Sequence, residues 1–416
     1  MKLILGRGEQ FYKTFIEFQI SGDTMLRYKI ALFVIVSHLM LFAQQTPVFT
    51  AGTEGHKSYR IPAIIRLSDG QLLAFAEGRV HGSGDFGDIN IVLKRSNDHG
   101  KTWSSLTTVV NYDSLQAGNP APVADYTDPA FSKGRIFLFY NTGNKHEGEI
   151  RKGNGLREVW YRTSTDGGQT WSDAVNITKQ VHRPNQPSVN PAYNFKDDWR
   201  SYANTPGHAM QYTSGKYKGR IVVAANHSQG NPSQQFEDYF SHVFYTDDHG
   251  KTFKLGETVN MPGSNEATAA ELSGNGLMLN ARNQKGDIKA RIIAVSKNGG
   301  ETWDSIFFDK KLPDPVCEGS ILAIGNRKGN NVLAFCNAAD TSNRDNLTLR
   351  ISLNDGYDWP ITIAVDKSPV SEKGNDYTAY ADIVKISKHE IAVLYERNNY
   401  SEIVFTILKW STHDMK

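Results

Sequence analysis

Short apolar runs separated by polar, glycine-rich turns dominate the chain. Positions 63–65, 72–76, 91–93, 136–140, 159–163, 221–225, 277–281, 292–295, 332–335 and 391–395 each form a brief cluster rich in Ile, Val, Leu, Phe and Tyr. Runs of this length suit strands and are too short for helices. Several are followed by one recurring octapeptide. It reads Ser96-Asn97-Asp98-His99-Gly100-Lys101-Thr102-Trp103 and returns at 164–171, 246–253 and 296–303, with a worn copy at 352–359. Each copy suits a hairpin: an Asp or Asn bonds its own backbone two residues on, the Gly takes a positive φ, and the Thr-aromatic pair returns to strand. Repetition at intervals of some tens of residues is the signature of a propeller or another repeat fold.

With each octapeptide placed after the third strand of a unit, the chain parses into an all-β, six-bladed β-propeller of four-stranded antiparallel blades. Blade one takes 63–65, 72–76, 89–94 and 108–110. Blade two takes 128–131, 136–140 and 159–163, and blade three takes 207–212, 221–225 and 242–245. Blades four and five start at 266–272 and 320–324. The last three strands, 379–386, 391–395 and 402–410, lack a fourth. Residues 46–50 are expected to supply it, which closes the ring and removes an open edge.

Composition narrows the function. The 416 residues carry 46 Lys+Arg against 44 Asp+Glu, which gives no basis for a broad nucleic-acid or membrane surface. A basic start at 25–29 and an apolar run at 30–43 read as a signal peptide cleaved near Ala43, too short for a membrane span. Residues 1–24 then read as an upstream extension and 44–416 as the propeller. The expected product is exported, periplasmic or secreted, and monomeric, with no membrane anchor. Cys317 and Cys336 can be paired or free, because the sequence does not show whether their β-carbons meet. No HExxH, CxxC or EF-hand spacing is present, so neither metal nor cofactor is expected.

Inner strands of a propeller line its axis, so polar residues distant in sequence can converge there. Candidates are Arg60, Asp85, Asp128, Glu266, Arg282, Arg344 and Tyr380. With the repeated Asp boxes and Arg60-Ile61-Pro62, the chain resembles the retaining exo-sialidases across about 45–416. The resemblance implies that Arg60, Arg282 and Arg344 bind a carboxylate. It further implies that Tyr380, in Tyr380-Ala381-Asp382-Ile383, is the nucleophile with Glu266 as its base. Asp85, six residues after Arg79 of Ala76-Glu77-Gly78-Arg79, matches the acid/base, and Asp128-Pro129 matches the position beside the N-acetyl pocket. Tyr377 is the alternative to Tyr380, and Asp88 the alternative to Asp85.

Physical chemistry makes this set coherent. Guanidinium groups hold a carboxylate by bidentate, charge-assisted bonds. A carboxylate nucleophile would face the sugar's own carboxylate with a repulsion of about 4 kcal/mol at 4 Å and an effective dielectric of 20, which a neutral phenol avoids. The phenol, with an ordinary pKa of about 10, then needs a base. The expected activity is hydrolysis of terminal α-linked sialic acid from glycoproteins, glycolipids and oligosaccharides, with retention through a tyrosyl intermediate. Transfer to an acceptor, or intramolecular transfer giving an anhydro sugar, would use the same core. A non-catalytic Asp-box propeller that binds glycans or proteins is the alternative of another class.

Overall fold

The structure, a computed structural model, describes residues 45–185, 198–369 and 376–412. The expected signal peptide and upstream extension lie outside these residues. No helix among the described residues is long and apolar enough to cross a membrane.

The protein is an all-β propeller, but six separate four-stranded blades are not what is found. Four blades stand alone, three of four strands and one of five, and a fifth sheet runs continuously through eight strands. The continuous sheet arises where the expected first and second blades meet. Only a short link separates the edge strand Thr107–Val110 from Gln116–Asp125, so Ile89 pairs in parallel with Gln116 and the ladder carries on. The fifth strand of the larger blade arises because its inner segment is split into Trp199–Asn204 and Met210–Gln211, both paired to Ile221–Gln229.

The chain termini share one blade. Thr46–Thr50 pairs antiparallel with Glu402–Lys409, so the first strand after the N-terminal segment completes the last sheet. Asp382 pins the axis. Its carboxylate accepts from the Ile64 amide at 2.7 Å, Ser320 Oγ at 2.7 Å, His208 Nδ1 at 2.7 Å and its neighbour's amide, Ile383, at 3.0 Å. Ile64, Ser320 and Asp382 belong to three different sheets, so one buried acid ties inner strands together across the ring.

The octapeptides are structural caps. In the first, Ser96 Oγ donates to Asp98 at 2.8 Å and accepts from the Gly100 amide at 2.9 Å, while Asp98 accepts from the Thr102 amide at 2.9 Å and its hydroxyl at 2.6 Å. The copies at 164–171 and 246–253 repeat these bonds. Two of the aromatics then pack on another sheet, Trp103 edge-on to Phe405 at 5.4 Å and Phe253 edge-on to Phe139 at 5.8 Å, while Trp171 packs edge-on to Phe75 at 6.0 Å within the eight-stranded sheet. Hairpin chemistry and sheet-to-sheet packing are therefore set by the same eight residues.

One expectation fails locally. The inner strand of the second unit is Gln116–Asp125, not 128–131. It contains Pro120 and Pro122, which weaken a strand reading, and is bulged between Gly118 and Ala121 where Asn119 has a φ of 54°. Cys317 and Cys336 are both buried and free.

Candidate active site

The Arg60-Ile61-Pro62 tripeptide sits on a bulge in Ser58–Arg66, between Arg60 and Ala63. Ile61 has a φ of 57°, a strained conformation for a β-branched residue that persists only where surroundings enforce it. Glu396 supplies that enforcement: its Oε1 accepts from the Ile61 amide at 2.9 Å and Arg60 Nε at 2.6 Å. Its Oε2 accepts from the Tyr380 amide at 3.2 Å. One buried carboxylate thus fixes the first arginine and the tyrosine-bearing strand together.

Tyr380 is the centre of the cluster. Its hydroxyl lies 2.6 and 2.7 Å from the two Glu266 oxygens and accepts from Arg282 Nη1 at 2.8 Å. The same Arg282 nitrogen reaches Glu266 at 2.6 Å. The guanidinium carbons of Arg60 and Arg344 stand 5.4 and 5.5 Å from the Tyr380 ring centre. Arg344 is held by the Tyr400 hydroxyl at 3.2 Å and the Val316 carbonyl at 3.4 Å, and Tyr400 in turn stacks under Arg60 at 3.9 Å. Burial and the Glu266 charge push the Tyr380 phenol well above its ordinary pKa, against the pull of Arg282 and Arg344. The resting side chain is a neutral phenol with a carboxylate already in place to take its proton.

Arg79 is buried and doubly satisfied, by Glu77 at 2.6 Å and Asp85 at 2.7 Å. The Asp85 side chain is 73% exposed, at the rim of the cleft. Partial enclosure works against its charge, but Arg79, and then Arg60, hold its carboxyl below the usual range.

Arg60, Arg79, Asp85, Glu266, Arg282, Arg344 and Tyr380 line a single cavity of about 310 Å³, within the size of ordinary ligand sites. A larger cavity of about 730 Å³, bounded by residues such as Ile64, Val123, Met210, Leu322 and Val384, contains none of them. Its walls are mainly apolar, so the smaller cavity is the one equipped for chemistry.

Asp128 does not join the others. It lies in the turn after Gln116–Asp125, where Arg135 and the Ala130 amide take its oxygens at 2.8 and 2.9 Å. With Asp125 and His249 it forms an acid–imidazole cluster, but protein donors already engage those acids. The Asx-Pro pair that reaches the cleft is Asn119-Pro120, with the Asn119 amide donating to Glu77 at 2.9 Å. Asp88 and Tyr377 are not among the cleft-lining residues. Sequence reading also passed over Glu396, Arg157, and the Tyr239–Glu147 pair joined at 2.6 Å.

The fold and site together define a β-propeller capped by repeated Asp-box hairpins, with a guanidinium-lined cleft around a phenol–carboxylate pair. The sequence profile of the BNR repeat-like domain matches residues 53–393, and the chain belongs to that family. It is 30% identical over 361 residues to a sialidase of Micromonospora viridifaciens, covering 83% of this chain and 50% of that one. It is 26% identical over 381 residues to a sialidase of Bacteroides fragilis, covering 86% and 63%. The chain therefore spans about half to just under two thirds of these relatives. Among solved structures, the Hadza microbial sialidase Hz136 superposes with a TM-score of 0.73 at 24% identity, over 90% of this chain and 69% of that one.

Proposed function

We propose that the protein is an exo-sialidase that hydrolyses terminal α-linked sialic acid from glycoproteins, glycolipids and oligosaccharides with retention of configuration. The observation that carries this reading is the gathering of Arg60, Arg282 and Arg344 around the hydroxyl and ring of Tyr380, with Glu266 in hydrogen-bond contact. The relatives named as sialidases support it.

The three guanidinium groups receive the sugar's carboxylate and set its anomeric carbon over Tyr380 Oη. Glu266 takes the phenol proton as the oxygen attacks, and Arg282, already bonded to that oxygen, stabilises the negative charge that develops. Asp85 serves as acid for the departing glycosidic oxygen. In the empty cleft it is ionised and tied to Arg79. It therefore takes up a proton when the substrate covers it and withdraws it from water, since desolvation favours the neutral acid. Deprotonated by that transfer, it then activates the water that releases the sugar.

Tyr380→Phe removes the attacking oxygen and leaves the ring. With an aryl sialoside it is expected to lower kcat by about 10²-fold or more. Undiminished turnover would exclude this tyrosine as the nucleophile.

A further inference from the structure

The larger cavity, of about 730 Å³, has no part in the proposed reaction. It lies further along the inner strands that build the cleft. Arg60, Asn119, Glu266 and Tyr380 line the cleft, whereas Ile64, Val123, Ala269 and Ile383, a few residues later on the same strands, line the cavity. At about 3.3 Å per strand residue the two sites stand on the order of 10 Å apart. Asp382, bonded to the Ile64 amide and to His208, falls between them. The two openings are therefore separate sites. A space of this size with walls mainly of aliphatic side chains has the character of a small-molecule site.

The polar groups in its wall decide what that molecule is. Three of the lining side chains can carry charge near neutrality: His208, Glu271 and Arg66. His208 Nδ1 is taken by Asp382 at 2.7 Å. Glu271 accepts from the Thr213 amide at 2.9 Å and from the Thr213 and Ser214 hydroxyls, each at 2.7 Å. The amides are engaged as well, Gln211 donating to Asp125 at 2.7 Å and Asn331 to the Glu271 carbonyl at 2.9 Å. Arg66 differs. Among the described residues no hydrogen bond or ion pair holds its guanidinium, and its Nε is shielded from solvent without an acceptor. A shielded donor left unpaired is costly and points to an absent partner.

The unmatched features of the cavity are thus an apolar wall and one set of guanidinium donors. Their complement is an apolar body with a single flat anionic head. A carboxylate accepts two parallel bonds from a guanidinium, and its one negative charge balances the one positive charge. We propose that the cavity is a second binding site, separate from the cleft, for a small monocarboxylate with an aliphatic tail, its head paired with Arg66 and its tail against the inner-strand walls.

The test is calorimetric titration with octanoate, below its micelle-forming concentration, and with octan-1-ol as the neutral analogue. A single saturable site is expected, with octanoate favoured over the alcohol by about fivefold or more. Arg66→Met keeps an apolar stem and removes the charge, so it is expected to erase the preference and leave alcohol binding in place. A Cβ added at Gly325, in the cavity wall, meets nothing within 4 Å. Gly325→Phe therefore narrows the cavity without a clash and is expected to weaken both ligands. Neither residue lines the cleft, so turnover of an aryl sialoside is expected to be unchanged in both variants, which also reports that each is folded. No saturable octanoate binding, a preference that survives Arg66→Met, or affinities untouched by Gly325→Phe overturns the proposal. Concentration-dependent dimerisation abolished by Gly325→Phe, without octanoate binding, assigns the cavity to a second copy of the chain and overturns it too. Binding is read without turnover, so these outcomes leave the sialidase reading as it stands.

Discussion

At the scale of single residues, the site depends on which charges are already neutralised before substrate arrives. Arg60 and Arg282 each have a carboxylate partner, whereas among the described residues Arg344 has only neutral oxygens, from Tyr400 and Val316. Asp85 is held ionised by Arg79, so the acid role proposed for it requires the substrate complex. Asp85→Ala is therefore expected to lower kcat/KM for sialyl-lactose by about 10²-fold or more, with a much smaller loss for an aryl sialoside whose leaving group needs little protonation. Equal losses on both substrates would contradict the role of acid. Arg60, Glu266 and Tyr380 were legible as polar residues on inner strands, whereas Arg282, near the end of the second strand Leu277–Asn283, and Arg344, in the link before Leu347–Ser352, were legible through the family resemblance. Asp128 misled because an Asp-Pro pair is as good a turn signal as a site signal, and Asn119-Pro120 was hidden in a bulged, proline-bearing strand. Glu396 could not be assigned from sequence, since its bonds to Arg60 and Ile61 cross from one sheet to another.

Among the secondary-structure elements, the box hairpins couple turn conformation to sheet packing. Gly100 has a φ of 79°, and a Cβ there would lie 2.1 Å from the Phe405 ring on the adjoining blade. Gly100→Ala is expected to cost about 3 kcal/mol, combining left-handed strain with overpacking. Gly52 has the same φ of 79° with nothing within 4 Å of the added carbon, so Gly52→Ala carries the strain alone, about 1 kcal/mol. Urea denaturation of the two variants separates the terms, and equal midpoints would contradict the packing role. The hairpins and most outer strands were readable because turn chemistry and apolar runs are local. The split inner strand at 199–211 and the parallel bridge from Ile89 to Gln116 were not, since both are decided by how neighbouring chain segments meet.

For the molecule as a whole, stability is tied to pH through buried histidines. His182, His227 and His242 are 1% exposed or less, packed with Trp199 and Tyr202. Burial holds all three below the ordinary imidazole value, His182 at about 3. The unfolded chain binds protons at these sites near pH 6.5 and the native state does not. Their stabilisation is therefore complete above about pH 6.5 and lost as pH falls below it, at about 1.4 kcal/mol per pH unit for each site. His208 runs the other way. Burial opposes its charge, but Asp382 raises its pKa, so its contribution is complete below about pH 6.5 and adds nothing to the acid-side loss. Urea midpoints are expected to drop steeply between pH 6.5 and 5, and His242→Gln to flatten the decline. A pH-independent midpoint over that range would exclude the cluster as its source.

On the proposed reading, the ring of sheets serves to place a phenol and three guanidinium groups on one acidic sugar. The most direct measurement is peptide mapping by mass spectrometry after the enzyme is quenched with a slow, fluorinated sialosyl donor. A sialyl adduct on the peptide containing Tyr380 is the predicted result. An adduct on Glu266 or Asp85, or turnover with no covalent species, would contradict the assignment.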